Sequence, residues 1–248
     1  MLKPLTHDDL EFYRKFSLNT LESCLERKPE LEDVILGIII NKLGDTSKKV
    51  QCHAIYLLLK LSQTHIEMTQ VIVHEVNLFM QRNGAKSTHV FYAVAYLNRV
   101  ASMVAPKDER VRAMLLRIYF SLFKKILKTE EKPEEEEAAK ALPFKKDRNK
   151  SKVDNVKAAK MLIKKKATKH DEGLEQEDNK VAELVLKGVN ILMSKCSAQL
   201  FDSEGGESSS AEMRRLIEEE TASIFRLAHH DVFKIQIQAL KLLFQFAR

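Results

Sequence analysis

Apolar positions along this chain recur at the period of an α-helix, most densely in the stretch from Val34 to Leu61, VILGIIINKLGDTSKKVQCHAIYLLLKL. It reads as two apolar helices joined by the polar turn LGDTSKK. In the second helix Val50, Ala54, Leu57, Leu58 and Leu61 stand at i, i+4, i+7, i+8 and i+11, a continuous stripe. Cys52, Ile55, Tyr56 and Leu59 lie off that stripe, so the helix is apolar on nearly all sides and must be covered on more than one. The β-branched run VILGIII could form a strand, but Pro29 and Gly44 frame a segment of helix length. Near the end of the chain Ile235, Ala239, Leu242, Leu243 and Phe246 repeat the offsets, again after an Asp (Asp231 there, Asp45 here). Val111, Leu115, Ile118, Tyr119 and Leu122 show them too, as any amphipathic helix can. The small Ala at i+4 and the Asp turn set the first two apart.

The remaining helices follow from their ends. Thr6 reads as the N-cap of a helix running to about Arg27, with Asp8 and Asp9 in its first turn. Pro29 opens the next, which Gly44 stops. A helix from about Ser47 to Thr64 is followed by one from about Ile66 to Arg82, closed by Asn83-Gly84. The fifth runs from Ser87 to about Val104, and Pro106 opens a sixth with acids first and lysines last, matching the helix dipole. Pairs therefore start near 29, 66 and 106, a spacing of roughly 40 residues that suits helical repeats. Further on, Val181, Leu184, Val185, Gly188, Ile191 and Leu192 share one face, where Gly188 predicts a close helix approach. FDSEGGESSS reads as a loop, and Ser209 with Glu212 as a capping box for a helix carrying Met213, Leu216, Ile217, Ile224 and Leu227. The fold class expected is all-α: a HEAT/armadillo-like helical-repeat solenoid, in which neighbours bury what one helix pair cannot. The apolar final helix has no polar cap, so the pattern predicts part of a longer array.

Composition changes this picture in one place. Overall, 44% hydrophobic and 31% charged residues describe a globular chain with a core of its own. Seven Gly, five Pro and no Trp leave little material for an all-β fold. From Thr129 to about Asn179, however, charge replaces periodicity: an acidic block at Glu130, Glu131 and Glu134–Glu137 precedes a basic one. Between Lys140 and Lys169 stand twelve Lys or Arg against two Asp, a surplus of ten positive charges in a chain whose net charge is +6. The segment holds few large apolar residues, which predicts disorder when free, with a helix around Val156–Lys166 as its one ordered candidate. The organisation expected is 1–128 as an N-terminal repeat part, 129–179 as a charged insertion and 180–248 as a continuation of the repeats.

Such lysine density gains affinity for phosphate through counterion release, without sequence preference. Lys145, Lys146, Arg148, Lys150, Lys152, Lys164, Lys165, Lys166 and Lys169 are the candidate RNA-contacting residues. KKDRNKSK and IKKKATK also have the form of a nuclear-localisation signal, and a solvated linker is the plainer alternative. Cys24, Cys52 and Cys196 are odd in number and far apart; the first two sit beside apolar residues, which predicts buried, reduced thiols in an intracellular protein. The N-terminus carries no signal peptide pattern, and the longest apolar run is too short to span a bilayer.

The search for chemistry excludes more than it finds. His74-Glu75 begins a zinc-protease motif, but Leu78 stands where its second His belongs. Cys52-His53 diverge on a helix, and His229-His230 suits a helix C-terminus better than a metal. Gly205-Gly206 lies in an acidic, serine-rich stretch that repels phosphate, and Glu218–Glu220 reads as a solvated face. We therefore expect no enzyme, no catalytic residues, no metal, no cofactor, no small-molecule substrate and no membrane partner.

Several stretches resemble the CCAAT-binding-factor family of nucleolar complex proteins, eukaryotic assembly factors of the large ribosomal subunit. They are NKLGD (41–45) with AIYLLLKL (54–61), YAVAYLN (92–98), IYFSLFK (118–124), LKGVN (186–190), FRLAHH (225–230) and QALKLLFQ (238–245). Their order, with a lysine-rich gap before the GVN helix, is also that of the family. The chain departs at Ile191–Cys196, ILMSKC, where the family continues with a basic residue and an aromatic-Pro segment. The resemblance implies a segment or shortened member of that family. It would be a non-enzymatic scaffold in the nucleolus or nucleus, bound to pre-ribosomal RNA and to assembly factors, including a second nucleolar complex protein. A helical-repeat transport or adaptor protein and a transcription cofactor are the alternatives; no helix carries base-reading side chains that would favour the last.

Overall fold

A computed structural model describes residues 2–27, 31–82, 84–104, 108–130, 177–195, 215, 219, 224–229 and 232–246. Among them every regular element is helical and no strand occurs. A short α1 (Leu2–Leu5) leads into α2 (Glu11–Arg27) and α3 (Glu32–Asn41), which tightens into a 3₁₀ turn at Lys42–Gly44. Then come α4 (Lys48–Thr64), α5 (Met68–Gln81), α6 (Ser87–Met103) and α7 (Glu109–Glu130). Beyond the charged segment lie α8 (177–195), a helical turn at 224–227 and α9 (Phe233–Phe246).

These helices build two layers. In one, α2 packs on α4 and α4 on α6; in the other, α3 packs on α5 and α5 on α7. Cross-links within each layer join residues about one repeat apart. Ser47 Oγ donates to Glu11 Oε1 at 2.6 Å, His53 Nε2 lies 2.7 Å from Asn19 Oδ1, and the buried hydroxyls of Ser62 and Tyr96 meet at 2.9 Å. In the second layer Gln70 Nε2 donates to Asp108 Oδ2 at 3.3 Å and Arg82 to Asn41. Start meets start and end meets end, so helices within a layer run parallel. The stack is compatible with a helical solenoid. Its core includes the fully buried Leu36, Ile39, Leu58, Ile72, Leu97, Leu115 and Tyr119.

The predicted stripes hold. On α4, Val50, Ala54, Leu57, Leu58 and Leu61 are buried, and so are Ile55 and Leu59 off the stripe, because α2 and α6 flank the helix on either side. On α9, Ile235, Ala239 and Leu242 are fully buried and Leu243 half-buried. Gly84, at φ +88°, ends α5's turn where the sequence placed a stop.

Two expectations are corrected. Thr6 does not cap α2: it is buried beside His7, and the chain turns through Asp8, whose carboxylate accepts the Leu10 amide at 2.8 Å, before α2 begins at Glu11. Cys24 and Cys52 are not buried; both thiols are free and exposed. Apolar neighbours in sequence misled there, since residues one or two apart on a helix point to different sides. Pro29, Pro106, Cys196, the 201–210 loop, the Ser209–Glu212 capping box and the Val156–Lys166 helix lie outside the described residues, as does Asp231.

Candidate nucleic-acid interface

The nine predicted RNA-contacting residues, Lys145, Lys146, Arg148, Lys150, Lys152, Lys164, Lys165, Lys166 and Lys169, all lie in 131–176 and outside the described residues. What the structure does place is where that segment leaves the helical stack. Three connections lead from the second layer into the first: 42–47 between α3 and α4, 82–86 between α5 and α6, and 131–176 between α7 and α8. The charged segment thus occupies the place of a tight turn in the third helix pair.

Residues that carried the family resemblance hold this third pair together. Asn98, from YAVAYLN, donates from Nδ2 to the Leu184 carbonyl at 2.8 Å and accepts the Tyr119 hydroxyl at 2.7 Å. Tyr119, from IYFSLFK, is fully buried, and burial pushes its phenol well above the ordinary value. Gly188, from LKGVN, packs against both: a Cβ there would stand 2.6 Å from Tyr119 Cζ and 2.7 Å from its hydroxyl. The close approach expected at Gly188 is therefore real, and only the missing side chain permits it. Asn190 continues the lock by donating to the Gln238 carbonyl at 3.2 Å and side-chain oxygen at 3.1 Å. At its two ends α8 is tied to α6: Ser87 Oγ donates to Asp178 at 2.6 Å, and Lys195 Nζ donates to Ser102 Oγ at 2.9 Å. α8 therefore lies parallel to α6 as the next helix of the first layer.

Parallel alignment brings the starts of α4, α6 and α8 to one edge. Between them opens a cleft of about 590 Å³ lined by residues from all three starts, among them Lys48, Gln51, Lys86, Ser87, Tyr92 and Lys180. Asp45, in the turn before α4, is nearly enclosed and already committed. Its carboxylate pairs with Arg14 at 3.4 Å and Lys42 at 3.1 Å, and accepts the Ser47 amide at 2.9 Å. Gly44 approaches the imidazole of His89, which stacks on Phe79 with ring centres 6.2 Å apart. Lys48, Lys86 and Lys180 are exposed, and among the described residues none has a carboxylate within ion-pair distance.

Sequence reading passed over these three lysines because none lies in a long basic run. A signal was present nonetheless. Neither α4 nor α6 has an acidic residue in its first turn or a side-chain cap; α4 starts on Lys48, and Lys86 is the N-cap residue of α6. Positive charge at a helix start opposes the dipole and costs a few tenths of a kcal/mol. Among the described residues no group of His, Cys, Asp or Glu could hold a metal, and no helix is long and apolar enough to cross a membrane.

Two half-buried histidines give the stack a pH dependence. Burial, and then Lys15 across from α2, holds His53 below the usual imidazole value; burial, and then Lys86, does the same to His89. The unfolded chain, with imidazoles near 6.5, therefore takes up protons first, so their contribution is present above about pH 6.5 and is lost as the pH falls below it. Glu11, held low chiefly by the Ser47 hydroxyl, and Glu26, held low chiefly by Lys60, add to the loss in more acid solution. Thermal denaturation from pH 8 to 5 should show a falling midpoint below about 6.5, with a shallower fall in His53→Gln/His89→Gln. An unchanged slope in the double variant would assign the effect elsewhere.

Comparison with known proteins finds an uncharacterised protein of Schizosaccharomyces pombe that is 31% identical over 245 residues, 99% of this chain and 26% of that protein. Ribosome biogenesis protein NOC1 of Chaetomium thermophilum is 31% identical over 130 residues, 52% of this chain and 12% of that protein. Human CCAAT/enhancer-binding protein zeta is 30% identical over 128 residues, again 52% and 12%. The chain spans about a quarter of the first of these relatives and about an eighth of the others. No family model matches.

Proposed function

The chain belongs to the CCAAT-binding-factor and nucleolar complex protein family, and on that premise we propose that it is a non-enzymatic helical scaffold of large ribosomal subunit biogenesis. It works in the nucleolus, on precursor particles, and holds pre-ribosomal RNA together with assembly-factor proteins, a second nucleolar complex protein among them. The observation that carries this reading is the alignment with a relative named for ribosome biogenesis. The stack supports it, because parallel helix layers offer long faces for partners and no described cluster of catalytic character competes with that use. The chain divides into a repeat part at 1–128, a charged insertion at 129–179 and a continuation at 180–248. The insertion tracks phosphate through Lys145, Lys146, Arg148, Lys150, Lys152, Lys164, Lys165, Lys166 and Lys169.

Affinity capture of the tagged full chain from cell extract, with bound RNA sequenced and bound proteins identified, tests the reading. Large-subunit precursor RNA recovered with assembly factors is the expected result, and removing 140–169 should weaken RNA binding and flatten its salt dependence. Cargo-like proteins recovered without precursor RNA would turn the assignment to a transport adaptor. Selective capture of one DNA duplex over its scrambled form would turn it to a transcription cofactor.

A further inference from the structure

We propose that the cleft between the starts of α4, α6 and α8 is a second RNA contact, in which Lys48, Lys86 and Lys180 hold backbone phosphates of a single strand. The proposal rests on the RNA-bound scaffold reading and adds a folded site to it. The three lysines come from positions 38 and 94 residues apart, and the parallel stack brings them to one opening of about 590 Å³. Local acids do not neutralise them. Asp45 is outweighed by Arg14 and Lys42, which leaves Glu177 in the lining and Asp178 beside Ser87 as the acids that face the three lysines. Three ammonium groups against the two carboxylates of Glu177 and Asp178 still leave a surplus of positive charge in a concave site, where field lines concentrate.

The other lining groups suit a nucleic acid strand better than an acidic protein helix. The hydroxyls of Thr46 and Thr88 offer hydrogen bonds to phosphate and ribose oxygens. Phe91 and Tyr92, half-buried and edge-to-face with ring centres 5.4 Å apart, are the aromatic surface against which a base can stack. Among the described residues no exposed Leu, Ile or Val lines the opening to anchor an amphipathic helix. The starts of α4 and α6, each a helix of 17 residues without a side-chain cap, add their dipoles to the same edge. Lysines at those starts are unfavourable in the free protein and favourable once phosphate arrives, which accounts for residues that break the ordinary charge pattern of a helix.

The test compares three full-length proteins binding a fluorescent oligouridine across a salt titration: the natural chain, Lys48→Gln/Lys86→Gln/Lys180→Gln, and Lys187→Gln/Lys234→Gln/Lys241→Gln. The last removes equal charge from exposed positions away from the cleft. Losing three phosphate contacts should make the slope of log K against log salt shallower by about 2 and weaken binding at least tenfold near 0.1 M salt. The control should keep the natural slope. A cleft variant with the same slope as the control overturns the second contact while leaving the scaffold reading intact, because removal of 140–169 reports on the latter separately. If the natural chain binds no RNA, both readings fall. If a polyglutamate competes for the cleft more tightly than the oligouridine, the site takes an acidic protein segment and the proposal is wrong. Circular dichroism of the three proteins should coincide, since every substituted side chain is exposed.

Discussion

Replacing Asp45 by Ala should cost about 3–5 kcal/mol, the range for removing one partner of a buried ion pair. The carboxylate sits 96% enclosed, 3.1 Å from Lys42 and 3.4 Å from Arg14, whose own side chains are 9% and 12% exposed. Its removal strands two cations near the core and leaves the Ser47 amide without its 2.9 Å acceptor. Arg14 retains a bond to the Asp8 carbonyl at 2.9 Å, which keeps the cost from rising further. At roughly 2–4 °C per kcal/mol for a chain of this size, the thermal midpoint should fall by about 10 °C. Asp45→Asn, which keeps an acceptor for Ser47 but loses the charge, should fall between Ala and the natural residue. Asn as damaging as Ala would assign the whole effect to the cations; a loss under about 1 kcal/mol in Asp45→Ala would show that the turn is held by other contacts.

Gly188→Ala should also destabilise, against the ordinary helix preference. Ala exceeds Gly by about 1 kcal/mol in a helix interior. Here the added methyl would stand 2.6 Å from Tyr119 Cζ, and Tyr119 cannot yield without breaking its 2.7 Å bond to Asn98. Overpacking of this kind costs about 1–3 kcal/mol, and the loss of a buried hydrogen bond adds to it, so a net loss of about 1–3 kcal/mol is expected. Gly188→Leu should go further and free α8 from the stack. Hydrogen exchange would then rise across 177–195 while the cores of α2–α5 stay protected, since the neighbours of Gly188 are Asn98 on α6 and Tyr119 on α7. Uniform exposure of all helices would instead mean that the stack opens as one unit.

Those two positions mark what was readable from the chain. Asp45 and Gly188 both stood out as residues whose types made sense only in one setting, a turn between apolar helices and a tight helix crossing. Both settings are present. Asn98, Tyr119 and Asn190 carried the resemblance without revealing their role, because a side-chain amide or phenol says nothing of its partner until the partner's helix is beside it. Their partners lie 21, 48 or 86 residues away.

By itself the sequence determined most of the described helices and where they start and stop, and it marked the charged stretch between α7 and α8. Period, turn residues and composition are local quantities, and helix formation answers to them. Only the tertiary structure decided which apolar faces are covered. It left Phe12 and Phe16 exposed on α2, brought Cys24 and Cys52 to the surface, and enclosed Ile55 and Leu59. Burial belongs to a pair of helices rather than to one. The gathering of Lys48, Lys86 and Lys180 likewise exists only in the stack, because the parallel offset of one repeat turns distant positions in the chain into neighbours at one edge.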